Sequence, residues 1–271
     1  MKYMTFNSSC SYAGLANLLA FYDIDVSDRE IALDMGLPYL FAKDQGKYLA
    51  GPMLQSEEWF HLFLRPLGFI LREKEILRNQ VTGYLQELEH AMLGIRVSPG
   101  SKHAVIYDGR EGEKYRFLNN KWENSEEPDT LLLSEEELLN RLDDKVMVAV
   151  LERAAREEVD KRYYYEESAV TLEQLLQDVE KFCAIERSPE ELRNAMDTLF
   201  RAILLDGITM LELLSETEIS QKLKTVQSQL LAAVRENCDV RLDCALDLNL
   251  LQEGIREYCC LIRKQAFCFA D

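Results

Sequence analysis

The sequence predicts an α+β domain built on an antiparallel sheet, followed by an all-helical domain. Three observations lead there. All of the Pro except Pro189, and most of the Gly, precede residue 129. Between residues 94 and 151 lie short runs rich in Val, Ile, Tyr and Phe, broken by turn residues as strands are. Beyond about residue 165 the chain becomes long stretches of Leu, Glu, Gln and Ala, which favour helix. The domains read from this texture are residues 1–155 and 165–271. A length of 271 residues, 47% of them apolar and 29% charged, suits two packed domains.

In the first domain, Leu15, Leu18, Leu19 and Tyr22 recur at helical spacing over 11–22, with Ser8 and Ser9 ahead of them as N-caps. Ser27-Asp28-Arg29-Glu30 opens a second helix as a capping box, which Gly36 and Pro38 end. Further helices are expected over 56–64 and 85–93. Strands are expected over 94–97, 103–107 and 115–119, the last two joined by the turn-rich Asp108-Gly109-Arg110-Glu111-Gly112-Glu113 as an antiparallel hairpin. A helix over 134–142, capped by Ser134 with Glu137 three residues on, leads into the apolar strand 146–151. In the second domain the helices fall over about 168–186, 189–214, 217–236 and 242–267, with Ser188-Pro189-Glu190-Glu191 a strong start signal.

Charge and cysteine content narrow the function. A formal net charge of −17, spread over both halves, repels phosphate backbones and anionic lipid, so neither nucleic acid nor membrane is an expected partner. The N-terminus lacks the apolar stretch of a signal peptide, and no run of eighteen apolar residues occurs. Seven cysteines, six of them after residue 180, read as thiols of a reduced, cytoplasmic protein. The spacings around Cys238, Cys244, Cys259, Cys260 and Cys268 include no Cys-x-x-Cys, and the histidines lie far upstream. No metal and no organic cofactor is implied.

One ordering of residue types carries chemistry. Cys10 stands at the start of the first helix, where free N–H groups and the helix dipole stabilise thiolate over thiol. His103 opens a strand and supplies a base that can return its proton to a leaving group. Asn119 and Asn120 close the next strand of the same hairpin, and either can fix the imidazole by accepting from its second nitrogen. Strand alternation favours Asn119, and the Trp122 two residues after Asn120 favours Asn120. His61 and His90 are assigned to helix surfaces with no role, and the late cysteines to core and surface of the last helix.

Ser9-Cys10-Ser11-Tyr12-Ala13-Gly14-Leu15 through Tyr22, Lys102-His103-Ala104-Val105, and Tyr115 through Trp122 resemble the Cys helix, His strand and Asn strand of papain-like proteins of the C39-like cysteine peptidase superfamily. Ile24-Asp25-Val26-Ser27-Asp28 with Gly36-Leu37-Pro38-Tyr39-Leu40-Phe41 is similar to the N-terminal domain of the butirosin-biosynthesis acyltransferase family. The resemblance covers roughly residues 6–150. It implies a papain-like fold and a Cys10 acyl-enzyme that passes its acyl group from a thioester or activated donor to an amine, as relatives of that type do and as the papain-like closthioamide amide synthetase does in forming amides. The alternatives are a peptidase or amide hydrolase with the same triad, and a non-catalytic scaffold with a helical interaction module.

Two departures accompany the resemblance. Papain-like peptidases place an oxyanion Gln about six residues before the nucleophile, where this chain has Met4, so Asn7 is assigned that role beside the Cys10 N–H. The Cys-Gly-Pro of C39 peptidases is Cys10-Ser11-Tyr12 here. Tyr12, Tyr39 and Phe41 are assigned to a substrate groove. The expected partners are a small-molecule acyl donor and amine acceptor, or a carrier protein, with the helical domain covering the cleft or forming a homodimer.

Overall fold

The computed structural model describes residues 1–236 and 239–268, so Cys238 lies outside the described residues. The chain forms two compact units. The first comprises residues 1–35 and 55–159, the second 36–54 and 160–271. The division is therefore not the simple one at 155–165 that the texture suggested, because a segment between two helices of the first unit belongs to the second.

The first unit opens with helices α1 (Cys10–Ala20) and α2 (Asp28–Met35). The segment 36–54 carries a hairpin, β1 (Phe41–Asp44) and β2 (Lys47–Ala50). The first unit resumes with α3 (Glu57–Leu67), β3 (Phe69–Leu77), α4 (Val81–Leu85), β4 (Ala91–Ser98), β5 (Ser101–Glu111), β6 (Lys114–Asn119), β7 (Thr130–Leu133), α5 (Glu135–Arg141) and β8 (Lys145–Arg153). Six strands make one antiparallel sheet in the order β3-β8-β4-β5-β6-β7. It is thus an α+β unit, with helices on both faces of the sheet.

Leu93, Ile95, Val105, Tyr115, Phe117, Val146 and Val148 point into one core with Val81 and Leu85 of α4 and Leu138 of α5. On the other face α1 lies along β5 and β4. Residues 12 to 19 of α1 are all buried, as expected of a helix apolar around most of its girth. Gly14 makes this close seat accessible: a Cβ there would stand 2.6 Å from the Met92 sulfur and 2.8 Å from the Asn120 amide nitrogen.

The helix expected over 85–93 does not form. α4 stops at Leu85 and strand β4 begins at Ala91, because ladder bonds to β5 and β8 outweigh the local helical spacing of the leucines. β4 and β8 pair at Met92–Ala149 and Leu93–Val148 and then part. Arg141, at the end of α5, donates to the carbonyls of Arg96 and Val97 at 3.0 and 2.9 Å, satisfying acceptors that a neighbouring strand would otherwise take.

The second unit contains α6 (Arg162–Cys183), α7 (Pro189–Ala195), α8 (Ile208–Leu213), α9 (Thr217–Glu236), α10 (Leu242–Ala245) and α11 (Leu248–Cys268), with a short strand pair, β9 (Glu186–Arg187) and β10 (Val240–Arg241). It is therefore not all helix. The one helix expected over 189–214 is interrupted by π turns at Met196–Phe200 and Ala202–Gly207. Side-chain chemistry explains why 36–54 belongs here. Ser168 accepts the Phe41 N–H at 2.9 Å, and the buried Tyr258 donates to the Pro38 carbonyl at 2.7 Å and meets the Phe41 ring edge-on. Tyr48 and Lys43 both donate to Asp178, at 2.6 and 3.0 Å. No helix among the described residues is long and apolar enough to cross a membrane.

Asp206 is buried in this unit, 2% exposed, and bonded to the Arg201 guanidinium at 3.1 Å. Burial pushes its carboxyl up to about 6 and prevails over Arg201, which pulls the other way. The native state then holds a proton at pH 4 to 6 that the unfolded chain has released, so this group removes stability as pH rises through that window. Replacing it by Asn should shift the unfolding free-energy difference between variant and parent in the variant's favour by on the order of 2 kcal/mol from pH 4 to pH 7. Urea melts at the two pH values measure this, and a pH-independent difference refutes it.

Candidate active site

The site is built from the start of α1 and the hairpin β5–β6. Cys10 is the first residue of α1 and is half-buried. It shares with His103 the lining of a cleft of about 360 Å³. Gly94, Ala104 and Ala149 supply small side chains to the lining, Lys102, Lys145, Glu73 and Asp143 supply charge, and the cleft reaches Val146 and Met147, where β8 leaves β4. The charges are partly neutralised in pairs, Lys102 with Asp143 at 2.6 Å and Lys145 with Glu75 at 2.7 Å. Burial pushes the Glu73 carboxyl above its ordinary range, although the Glu57 N–H it accepts opposes this.

The two asparagines have different work. Asn119 Oδ1 lies 3.0 Å from His103 Nδ1, and the Asn119 amide donates to the Pro128 carbonyl at 3.1 Å and to Glu127 at 3.3 Å. Its amide is thereby held with the oxygen towards the imidazole, which makes Nδ1 the protonated nitrogen. Glu127 also stands 3.4 Å from Nδ1. Among the described residues no hydrogen bond joins Asn120 to the histidine. Asn120 donates to the Ala104 carbonyl at 2.8 Å and accepts from Asn17 at 2.9 Å, joining α1 to the histidine strand. Asn17 in turn exchanges two bonds with the Lys2 backbone.

The remaining nitrogen, Nε2, is 3.0 Å from the Ser101 hydroxyl. Among the described residues no hydrogen bond joins the Cys10 thiol to the imidazole; the two side chains share a cleft and remain unpaired. For Nε2 to act as a base on the thiol it must exchange Ser101 for the sulfur.

Several sequence assignments change. Asn7 is exposed and is not among the residues lining the cleft. Gln55, just ahead of α3, lines it instead, with its amide oxygen accepting from the Ser11 hydroxyl at 2.6 Å. That bond turns the Gln55 NH₂ away from Ser11. No sequence signal marks Gln55, which reaches the site through the fold alone. Tyr12 is 0% exposed and packs between Phe6 and Phe60, so it is core and not groove. Tyr39 and Phe41 belong to the second unit, where they pack on Tyr165 and Tyr258. Ser9 occupies the N-cap position of α1 but makes no cap bond with its side chain. His61 is bound to the Leu71 backbone at 3.2 Å. His90 lies ahead of β4, stacked on Phe21, and not on a helix.

The other thiols offer a contrast. Burial pushes Cys183 up to about 12 and Cys259 up to about 11, which keeps both protonated and inert. Cys244, Cys260 and Cys268 are exposed on the second unit. Among the described residues no group of three or more His, Cys, Asp or Glu is arranged to hold a metal.

No protein-family model matches the chain, and no curated protein is significantly similar to it. Among solved structures it is similar to the peptidase domain of Streptococcus ComA, a bifunctional ABC transporter involved in a quorum-sensing pathway. The two are 12% identical with a TM-score of 0.39, over 56% of this chain and 96% of that one.

The two asparagines should separate on substitution. Asn119→Ala frees the imidazole to turn and should slow acylation of Cys10 by p-nitrophenyl acetate at least tenfold per folded molecule. Asn120→Ala removes the link from α1 to β5 and should cost on the order of 2 kcal/mol in urea melts, with the smaller effect on acylation. The reverse ranking would give the orienting role to Asn120.

Proposed function

We propose that the protein is a papain-like, cysteine-nucleophile acyl-transfer enzyme in which Cys10 carries the acyl group as a thioester and an amine receives it. The observation that carries this reading is a helix-start thiol sharing one cleft with an imidazole whose tautomer Asn119 fixes.

His103 Nε2 takes the Cys10 proton, and the thiolate attacks the donor's carbonyl carbon. The tetrahedral oxygen carries negative charge at the α1 N-terminus, where first-turn N–H groups and the Gln55 NH₂ are the donors at hand. As the intermediate collapses, the bond to the leaving group breaks and His103 gives that group its proton. An amine then attacks the thioester carbonyl, its proton passes to His103, and Cys10 leaves as thiolate. The reaction needs no metal or redox partner. A small thioester is the donor that suits the chain best, since an acidic carrier protein meets a net charge of −17.

One observation favours hydrolysis as the second reading. Lys102, Lys145, Glu73 and Asp143 line the cleft, and charged side chains hold water near a thioester. The acceptor is measurable. After single-turnover acylation of Cys10 by p-nitrophenyl acetate, millimolar glycinamide should divert most of the acetyl group into N-acetylglycinamide. Dominant free acetate at that amine concentration would make the protein a hydrolase, and equal p-nitrophenolate release by the Cys10→Ala variant would remove the nucleophile altogether. Gln55→Ala should slow acylation roughly tenfold while leaving iodoacetamide alkylation of Cys10 within twofold, because alkylation develops no oxyanion. Equal slowing of both reactions would deny Gln55 that role.

A further inference from the structure

We propose that the second unit carries a binding site for a small organic monocarboxylate. The site is a cavity walled by the β1–β2 hairpin, the C-terminal end of α6, β9, α7 and the π turn at Met196–Phe200. Its lining belongs wholly to that unit and shares no residue with the cleft of Cys10, so it stands whether or not Cys10 is a nucleophile.

The cavity has a volume of about 450 Å³, within the range of small-molecule sites. Three cations line it, Lys43, Lys181 and Arg187, together with two carboxylates, Asp178 and Glu191. Both carboxylates are already occupied. Asp178 accepts from the Tyr48 hydroxyl at 2.6 Å, from Lys43 at 3.0 Å and from the Gln174 amide at 2.9 Å. Burial opposes its charge, yet Tyr48, Lys43 and Gln174 hold the carboxyl down at about 2, so it is ionised at neutral pH. Glu191 completes the capping box of α7, accepting from the Ser188 N–H and hydroxyl, each at 2.9 Å, and from Arg187 at 3.3 Å.

The donors are not used up in the same way. Arg187 gives Nε to the Phe182 carbonyl at 2.9 Å and Nη1 to Glu191. Among the described residues its Nη2 makes no hydrogen bond. The guanidinium lies on the Phe182 ring, 4.3 Å from the centroid, and the side chain is 17% exposed, so its plane is fixed before any ligand arrives. Lys181 is 72% exposed, and among the described residues its one polar contact is Asp178 at 3.6 Å. The Asn194 side-chain amide, also on the lining, makes no hydrogen bond among the described residues. What the cavity has left to offer is therefore donor capacity, and the ligand that satisfies it is an acceptor.

Charge decides which acceptor. Three cations against two carboxylates leave one positive charge, in a chain whose net charge is −17. A monoanion neutralises that excess, whereas a phosphate dianion would overshoot it beside Asp178 and Glu191. A carboxylate also suits the free end of a guanidinium. Phe182, Ala195 and Leu199 supply an apolar side for the organic part of the ligand. The π turn that carries Thr198 and Leu199 into the lining is an irregularity found frequently at functional sites.

Calorimetric titration of the full chain tests the site, with benzoate as the monocarboxylate probe. Benzoate should bind one to one with a Kd of about 1 mM, as suits so small a ligand, and benzamide and inorganic phosphate at least tenfold more weakly. Arg187→Gln should weaken benzoate at least tenfold. Lys181→Gln should weaken it at least threefold, and this exposed position decides the matter should Arg187→Gln fail to fold. The double variant Lys102→Gln/Lys145→Gln, which strips both cations from the cleft of Cys10, should bind benzoate within twofold of the parent. The proposal is overturned by the absence of benzoate binding up to about 20 mM, or by benzamide or phosphate binding as tightly as benzoate. It is overturned equally if the cleft variant loses binding while Arg187→Gln and Lys181→Gln keep it.

Discussion

The first unit depends on a short chain of buried amides. Asn17 of α1 bonds Asn120 at the end of the second hairpin strand, and Asn120 bonds the carbonyl of Ala104, the residue after His103. Buried amides left unpaired are costly, so each member holds the others at hydrogen-bond distance. Gly14 allows the close approach this requires, with Met92 and Asn120 occupying the space a side chain would fill. Through these contacts the helix that begins with the thiol is held to the strand that bears the imidazole. The same sheet opens a cleft where β8 leaves β4, so the departure of two strands and the position of one helix together create the room in which chemistry can occur.

Polar groups around the site divide into those that align and those that restrain. Asn119 aligns: its amide is committed to Pro128 and Glu127 on one side, so its oxygen faces the imidazole. Ser101 restrains, occupying the nitrogen that a base would use. Asp28 pins the turn that precedes the thiol, accepting from Thr5 and Ser9. Each is a small polar residue near a turn or strand end. There, side-chain bonds to neighbouring backbone compete with regular structure and decide how the chain enters an element.

Much of the first unit was legible because it follows local rules. The capping boxes at Ser27 and Ser134 both form, and the helices they open lie within a few residues of their expected places. The strands 115–119 and 146–151 are found with modest extensions, whereas 103–107 lengthens to Ser101–Glu111 and takes in Asp108 to Glu111 of the expected turn, leaving Gly112 and Glu113 to turn the hairpin. Strand β3 escaped notice for a reason tied to the site. Arg72, Glu73, Lys74 and Glu75 break its apolar alternation, since Glu73 lines the cleft and Glu75 pairs with Lys145 on the neighbouring strand. The helix expected over 85–93 failed in the opposite direction, with apolar spacing that suits a helix recruited into a ladder.

Local chemistry, read from residue order, was enough to place a cysteine at a helix start, a histidine on a strand and two asparagines at the end of the next. Periodicity and capping are properties of neighbours in the chain, and they survive without knowledge of the rest. The choice of Asn119 over Asn120, the replacement of Asn7 by Gln55, the retreat of Tyr12 into the core and the transfer of residues 36–54 to the second unit needed the folded chain. Those outcomes turn on which side chains meet across tens of residues, where a shift of one position along a strand reverses the face a residue presents.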